Sequence, residues 1–396
     1  MLYLDKKAII ISLLPIFPLL DFFMFSDFPW ITIISYVIIC LVFGSWEWKC
    51  DYLVFFLICM TLCSILFSTI RNGYNSDQFK FFFCMFTFVI LGSALGKNLK
   101  YYTKMLLKMT YIYFMVNLAI YVYRSIQYSF DFNRVRSGIS IFGGNSAHFV
   151  FLMMLLILKK YGIQKKEYYI MLLMTVVNAI MFVSKGAILL TIGWILLDII
   201  NQKKTEILNW KVISITVCGI LITKVFFGNK ISDFLSYFIE RFTIWDNLYK
   251  NTGSLMGTRG QIADFTVSYI KSHISILLLG NGPATFRNIN PWRYSNTHNL
   301  VLDLTFDIGL VGVIIFFGIC ITIVLKNKNS IYFILCVLYA TMEGVALFFI
   351  DSSSPIISGL TFLFIVMYYY DSKKQYIDES NKNKRLLKAR NNCWRR

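Results

Sequence analysis

The chain has 396 residues, of which 57% are hydrophobic and 15% charged, and its formal net charge is +18. Such a balance excludes an ordinary soluble domain, whose charged fraction is nearer a quarter. The basic excess comes with no nucleic-acid motif, so a nucleic-acid partner is not expected.

Apolar runs of roughly 17–25 residues are the unit of a helical membrane protein. In chain order they fall at 8–25, 28–45, 52–69, 79–96, 105–123, 146–158, 168–183, 186–201, 209–227, 299–325, 331–350 and 355–370. The expectation is an all-α polytopic membrane protein of about 12 transmembrane helices with one large outer loop. Its parts are spans and short loops over 1–227, a large periplasmic loop over 228–297, further spans over 298–370 and a basic tail over 371–396. The first run carries Pro15 and Pro18 and lacks a small-residue cleavage site, so it reads as a retained span and not a signal peptide.

Lysines fix the predicted orientation. With the N-terminus cytoplasmic, Lys49, Lys97, Lys100, Lys159, Lys160, Lys165, Lys203, Lys326 and Lys328 all fall on the inner side, as does the tail. That is the positive-inside pattern, and it closes only with an even number of spans. A chain in the cytoplasmic (inner) membrane with both termini cytoplasmic follows, its tail able to touch anionic membrane lipid. Outside the tail every arginine lies on the outer side: Arg71, Arg124, Arg134, Arg136, Arg241, Arg259, Arg287 and Arg293. Lysine suffices to anchor topology, whereas the planar guanidinium fork suits phosphate or carboxylate, so the outer face is expected to meet an anionic ligand. The nine cysteines lie in spans or on the inner side, which predicts no disulfide, and their spacing suggests no zinc site.

Three outer segments could build a site: the glycine-bearing stretch 124–145, the hairpin Ser184-Lys185-Gly186, and the large loop. Within that loop an amphipathic helix is predicted over 231–250. A second begins at Thr258 and runs to Leu279, its apolar side carrying Ile262, Phe265, Tyr269, Ile270 and Ile276 toward the membrane surface. Gly280-Asn281-Gly282-Pro283 terminates it.

The three histidines, His148, His273 and His298, all fall at or beyond the outer boundary. His298 stands out because it sits where the polar loop meets a span, beside Asn299, and imidazole exchanges protons near neutral pH. His273 reads as mid-helix and structural; His148 could line a cleft. Arg259, opening a helix, suits either a phosphate cradle or a charge at lipid headgroups. Lys185 either points into a central cavity or snorkels to the interface. Trp245, Tyr249, Trp292 and Tyr294 could stack on sugar rings or form an interfacial belt. Asp303, Asp307 and Glu343 lie inside spans, where carboxylates usually face the bundle interior. No Asp-x-Asp pair for a divalent metal occurs; Asp21 and Asp27 are a weak acidic pair in the first outer loop.

Taken together, Arg259 opening a loop helix, Gly280-Asn281-Gly282, His298-Asn299 and Asp307-Ile308-Gly309-Leu310-Val311-Gly312 resemble the pattern of the O-antigen polymerase and ligase superfamily of bacterial envelope glycosyltransferases. Upstream, Arg134-Val135-Arg136-Ser137-Gly138 and Ser184-Lys185-Gly186 are similar to two further elements of that family, and the likeness covers roughly residues 130–325. Lysine stands at 185 where the family has arginine, aspartate at 307 where it usually has glutamate, and the tryptophan common shortly after the loop arginine is missing, Phe265 being the nearest aromatic. The resemblance implies glycosyl transfer from an undecaprenyl-diphosphate-linked oligosaccharide to a sugar hydroxyl at the outer face, without a metal or other cofactor. It implies His298, Arg259 and Lys185 as catalytic, and Arg136, Arg287, Arg293, Asn299, Trp292 and Tyr294 as substrate-binding. A repeat-unit polymerase is favoured over a ligase that transfers glycan to lipid A–core, and a chain-length regulator is a conceivable partner. A flippase for the same lipid-linked unit is the competing class, although neither internal repeats nor helices broken at midplane are evident in the sequence.

Overall fold

The computed structural model describes residues 51–129, 144–162, 164–182, 184–201, 236, 258–283, 285–292, 297, 299–327, 329–343, 362–374 and 376–377. Among them the chain is helical, with no strand. The helices are α1 (Tyr52–Asn72), α2 (Ser76–Gly96), α3 (Leu99–Gln127), α4 (Gly144–Tyr161), α5 (Lys165–Phe182), α6 (Lys185–Asn201), α7 (Thr258–Ser272), α8 (Ile274–Leu279), α9 (Phe286–Ile289), α10 (Leu300–Lys326) and α11 (Ser330–Glu343), followed by a helical stretch over 362–374.

Local chemistry sets several boundaries. The Asp51 carboxylate accepts the Leu53 N–H at 3.1 Å and caps α1, which Gly73 ends at φ 84. Asn75 caps α2 by accepting from the Asp77 N–H at 2.9 Å, and Asn299 caps α10 by accepting from Val301 and Leu302. α3 extends well beyond the predicted span 105–123, because Asn98 starts it soon after α2 ends. The predicted runs 168–183 and 186–201 are separate helices, α5 and α6, divided at Ser184.

α4 is the centre of one half of the bundle: every residue from Ala147 to Ile157 is buried, packed by α3, α5 and α11. α10 centres the other half, against α1, α8 and α11. Phe55, Leu66 and Ile70 of α1, Leu189, Ile192 and Leu196 of α6, and Leu310, Ile314 and Ile321 of α10 are left exposed. Aliphatic outer surfaces on long apolar helices suit lipid. Among the described residues, α1, α2, α3 and α10 are long and apolar enough to cross a membrane, while α6 and α11 are apolar but shorter. The chain is thus a helical protein with several candidate membrane spans. The predicted runs 8–25, 28–45 and 209–227, the helix expected over 231–250 and most of the tail lie outside the described residues.

One end of the bundle is closed by polar contacts between helix termini. Asp51 takes hydrogen bonds from the Tyr369 hydroxyl at 2.5 Å and from the Lys373 ammonium, and Lys374 donates to the Lys97 carbonyl at 2.6 Å. Lys160 pairs with Asp371 at 2.6 Å, and Asn327 donates to the Tyr368 hydroxyl. Asp198 accepts from Lys159, from Tyr168 and, at 2.7 Å, from Tyr332, whose ring lies under the Lys159 ammonium. These residues include many of the lysines that the positive-inside pattern assigns to the cytoplasm. The opposite end holds the α1–α2 turn, Ser184, the helices α7, α8 and α9, and Asn299.

Candidate active site at a broken helix

α10 is not continuous. Gly309 adopts φ 71, ψ 173, a conformation that only glycine takes readily, and the helix breaks there. A break inside an apolar helix strips carbonyls of their partners, and each orphan must be satisfied from within the protein. Here the segment between α8 and α9 supplies backbone donors. The Asn281 N–H reaches the Phe306 carbonyl at 2.6 Å and the Gly282 N–H reaches the Asp307 carbonyl at 3.1 Å, while the Ser64 hydroxyl of α1 donates to that same carbonyl at 2.5 Å. The Gly280-Asn281-Gly282 turn is therefore docked into the kink.

Glycine is obligatory on both sides of this junction. A Cβ on Gly280 would stand 2.4 Å from the Asp307 carbonyl oxygen, and one on Gly309 would stand 2.2 Å from that of Leu278. A Cβ on Gly282 would meet the Gln78 amide at 2.3 Å. Gly280 and Gly282 also hold positive φ, 80 and 85. Amides and hydroxyls secure the turn to α1 and α2: Asn72 donates to the Asn281 side chain at 3.2 Å, Gln78 to Ser68 at 2.7 Å, and Asn281 to Thr285 at 3.0 Å.

Two carboxyl groups sit beside the junction, one turn apart on α10. Asp303 accepts the Thr297 N–H at 2.6 Å through one oxygen, and its other oxygen is buried with no hydrogen-bond partner among the described residues. Asp307 is 1% exposed, and neither of its carboxyl oxygens has a hydrogen-bond partner among the described residues. Ionisable groups inside an apolar bundle are costly and mark functional positions. Among the described residues, no three His, Cys, Asp or Glu side chains come together as a metal site.

The loop helices pack around the turn that precedes Asp307. Ile262 and Ile270 of α7 and Ile276 of α8 are buried with Phe286 and Phe306. The apolar side assigned from sequence to the membrane surface is thus covered by the protein's own α10. The single helix expected over 258–279 is two, because His273 departs from helical geometry at φ -137, ψ 77; its Nδ1 lies 2.9 Å from the Tyr269 carbonyl oxygen. His273 is therefore a partly buried junction residue and not a mid-helix one facing lipid.

Of the residues expected at the site, Arg259 is exposed in the first turn of α7 and Arg287 is exposed on α9. Trp292 is 39% exposed and lies edge-on to Phe265 at 5.9 Å, so it roofs the loop helices. Asn299 spends its side-chain oxygen capping α10, at 3.0 Å from the Val301 N–H, a local task that the expectation of substrate binding had not included. Lys185 is the first residue of α6, which Ser184 caps through its hydroxyl at 3.3 Å from the Ala187 N–H; the Lys185 side chain lies outside the described residues. His298, Arg136, Arg293 and Tyr294 also lie outside the described residues.

Sequence reasoning passed over Ser64, Asn72 and Gln78, whose partners are more than 200 residues away or sit across a helix turn, and it set His148 aside. His148 is buried between helices, its Nε2 3.2 Å from the Thr191 hydroxyl. No protein family, curated protein or solved structure matches the chain.

Proposed function

We propose that the protein is a membrane-embedded glycosyltransferase that joins lipid-diphosphate-linked oligosaccharide repeat units into a surface polysaccharide. One observation supports this reading above the others. The Gly280–Gly282 turn and the Asp307–Gly312 segment, two elements of the resemblance separated by more than twenty residues, are hydrogen-bonded into one junction. Thr297, which precedes the His298-Asn299 pair, is tied to the same helix through Asp303.

In the reaction an acceptor hydroxyl oxygen bonds to the anomeric carbon while the bond from that carbon to the lipid diphosphate breaks, with inversion. Charge develops on the departing diphosphate, and fixed cations offset it by electrostatic preorganisation. Arg259 and Lys185 take that role, with Arg136, Arg287 and Arg293 as further cations. His298 receives the proton of the attacking hydroxyl. Asp303 anchors the backbone immediately before it, and Trp292 and Tyr294 offer faces to sugar rings.

A strain lacking the gene, complemented with wild type or with His298→Ala, tests the reading on a gel of surface polysaccharide. Collapse of the ladder to a single repeat unit, restored by wild type alone, is the expected result. Loss of every repeat from the acceptor would overturn polymerisation; accumulation of polymer on the lipid carrier would then indicate a ligase, and its absence a flippase.

A further inference from the structure

About one turn from the Ser184 end of α4 and α5, buried polar side chains of α3, α4, α5, α6 and α11 lie at one level of the apolar bundle. Tyr113 and Phe114 of α3 meet Phe151 of α4 at ring distances of 5.9 and 6.1 Å, which sets Asn117, one turn on, opposite the turn of α4 that holds His148. Leu118 and Tyr121 of α3 pack with Val177 and Met181 of α5, which brings Asn178 to the same level. His148 in turn touches Thr191 of α6 and lies 5.0 Å, ring to ring, from Tyr339 of α11. Asn117, His148 and Asn178 are each 1% exposed.

Among the described residues, five polar atoms of this layer have no hydrogen-bond partner: both ends of the Asn117 carboxamide, both ends of the Asn178 carboxamide, and His148 Nδ1. Thr191 spends its only proton on the Ala187 carbonyl at 2.6 Å, so it can only accept from His148. The neutral imidazole therefore carries its proton on Nε2 and presents Nδ1 as an acceptor. Buried amides left in this state are strongly unfavourable in an apolar interior unless something polar reaches them.

We propose that this layer is a binding site for a neutral, hydroxyl-rich group, a sugar ring, entering from the Ser184 end of the bundle. An anion would call for donors alone and a cation for acceptors alone; two carboxamides and an imidazole acceptor mix both, as a hydroxyl does. The naming of the ligand as a sugar rests on the glycosyl-transfer reading; the buried polar layer itself does not.

The test uses the full chain in cells. Asn117→Cys, treated from outside with a charged methanethiosulfonate and read by mass spectrometry, reacts at least about tenfold faster than the buried Cys320 and Cys336 of the same molecule. Equal rates would overturn the proposal. Asn117→Leu and Asn178→Leu remove the orphaned atoms at similar volume, so they leave the thermal midpoint unchanged or higher and lower polysaccharide output by at least about tenfold. Wild-type output from both would make the amides idle and sink the proposal; if neither leucine variant accumulates, the alanine variants and the thiol rates decide. A gene deletion without any polysaccharide phenotype would refute the glycosyl-transfer reading alone, leaving the thiol rates to judge the layer.

Discussion

Asp303 shows how one side chain can govern a loop. Its carboxylate accepts the Thr297 N–H at 2.6 Å, and Thr297 in turn donates its hydroxyl to the Asn299 carbonyl at 3.0 Å. The strap is therefore fixed on both sides of position 298. Asp303→Asn keeps an acceptor oxygen and Asp303→Ala does not. A hydrogen bond to a charged group is worth about 1.5–3 kcal/mol, so the alanine variant lowers polysaccharide output by about tenfold or more. The asparagine variant retains most of it, with equal protein in the membrane for both. Equal loss in the two would assign Asp303 a role other than positioning. At Arg259, lysine keeps the charge and removes the fork; Arg259→Lys reduces turnover if the diphosphate is gripped there, and unaltered kinetics would reduce Arg259 to a surface charge.

At the scale of elements, the kink in α10 and the Gly280–Gly282 turn depend on each other. The kink exposes carbonyls that the turn's N–H groups satisfy, and the turn has room only because Gly309 and Gly280 lack side chains. Gly309→Ala adds a strained backbone, about 1–3 kcal/mol, to an overlap at 2.2 Å with Leu278. Thermal unfolding in detergent shows a clear fall in midpoint for Gly309→Ala and Gly280→Ala. Gly193 is the control, since nothing lies within 4 Å of its added Cβ in the interior of α6. Gly193→Ala raises stability by about 0.5–1 kcal/mol. A Gly309→Ala protein as stable as wild type would show that the break is not needed.

Across the whole molecule, the two ends of the bundle differ in kind. The end around Asp51, Asp198 and Asp371 is held by charged pairs whose members come from distant parts of the chain. Removing one partner of a buried pair leaves the other uncompensated, at a cost of about 3–5 kcal/mol. Asp198→Ala, which strands Lys159 and two phenols, lowers the thermal midpoint far more than Tyr332→Phe, which loses a single bond of about 1 kcal/mol. The positive-inside expectation would put this end in the cytoplasm, which a labelling experiment can test. A membrane-impermeant thiol reagent applied to intact cells then labels Tyr74→Cys, in the exposed α1–α2 turn, and leaves Gln164→Cys, between α4 and α5, unlabelled. The reverse pattern would invert the orientation and remove the outer-face chemistry with it.

Hydrophobic runs and lysine placement determined by themselves that the chain is helical and membrane-seeking, because both signals are local: a span is a stretch of contiguous residues, and charge bias is counted loop by loop. Gly280, Gly282 and Gly309 could likewise be picked out as breaks or turns from composition. What sequence could not supply was the partner of each. The predicted span 299–325 has the right limits and no hint of its kink, since Gly309 lies within an otherwise apolar run and glycine alone does not break a helix. Only the approach of Leu278 and Asn281 makes the break stable. The buried face of α7 was equally open: an amphipathic helix covers lipid or protein with the same apolar side, and packing on Phe306 decided for protein. Asn117, His148, Asn178 and Thr191 are unremarkable polar residues in separate helices until the bundle brings them to one level. Contacts between residues tens to hundreds of positions apart depend on how helices pack, which no local pattern encodes.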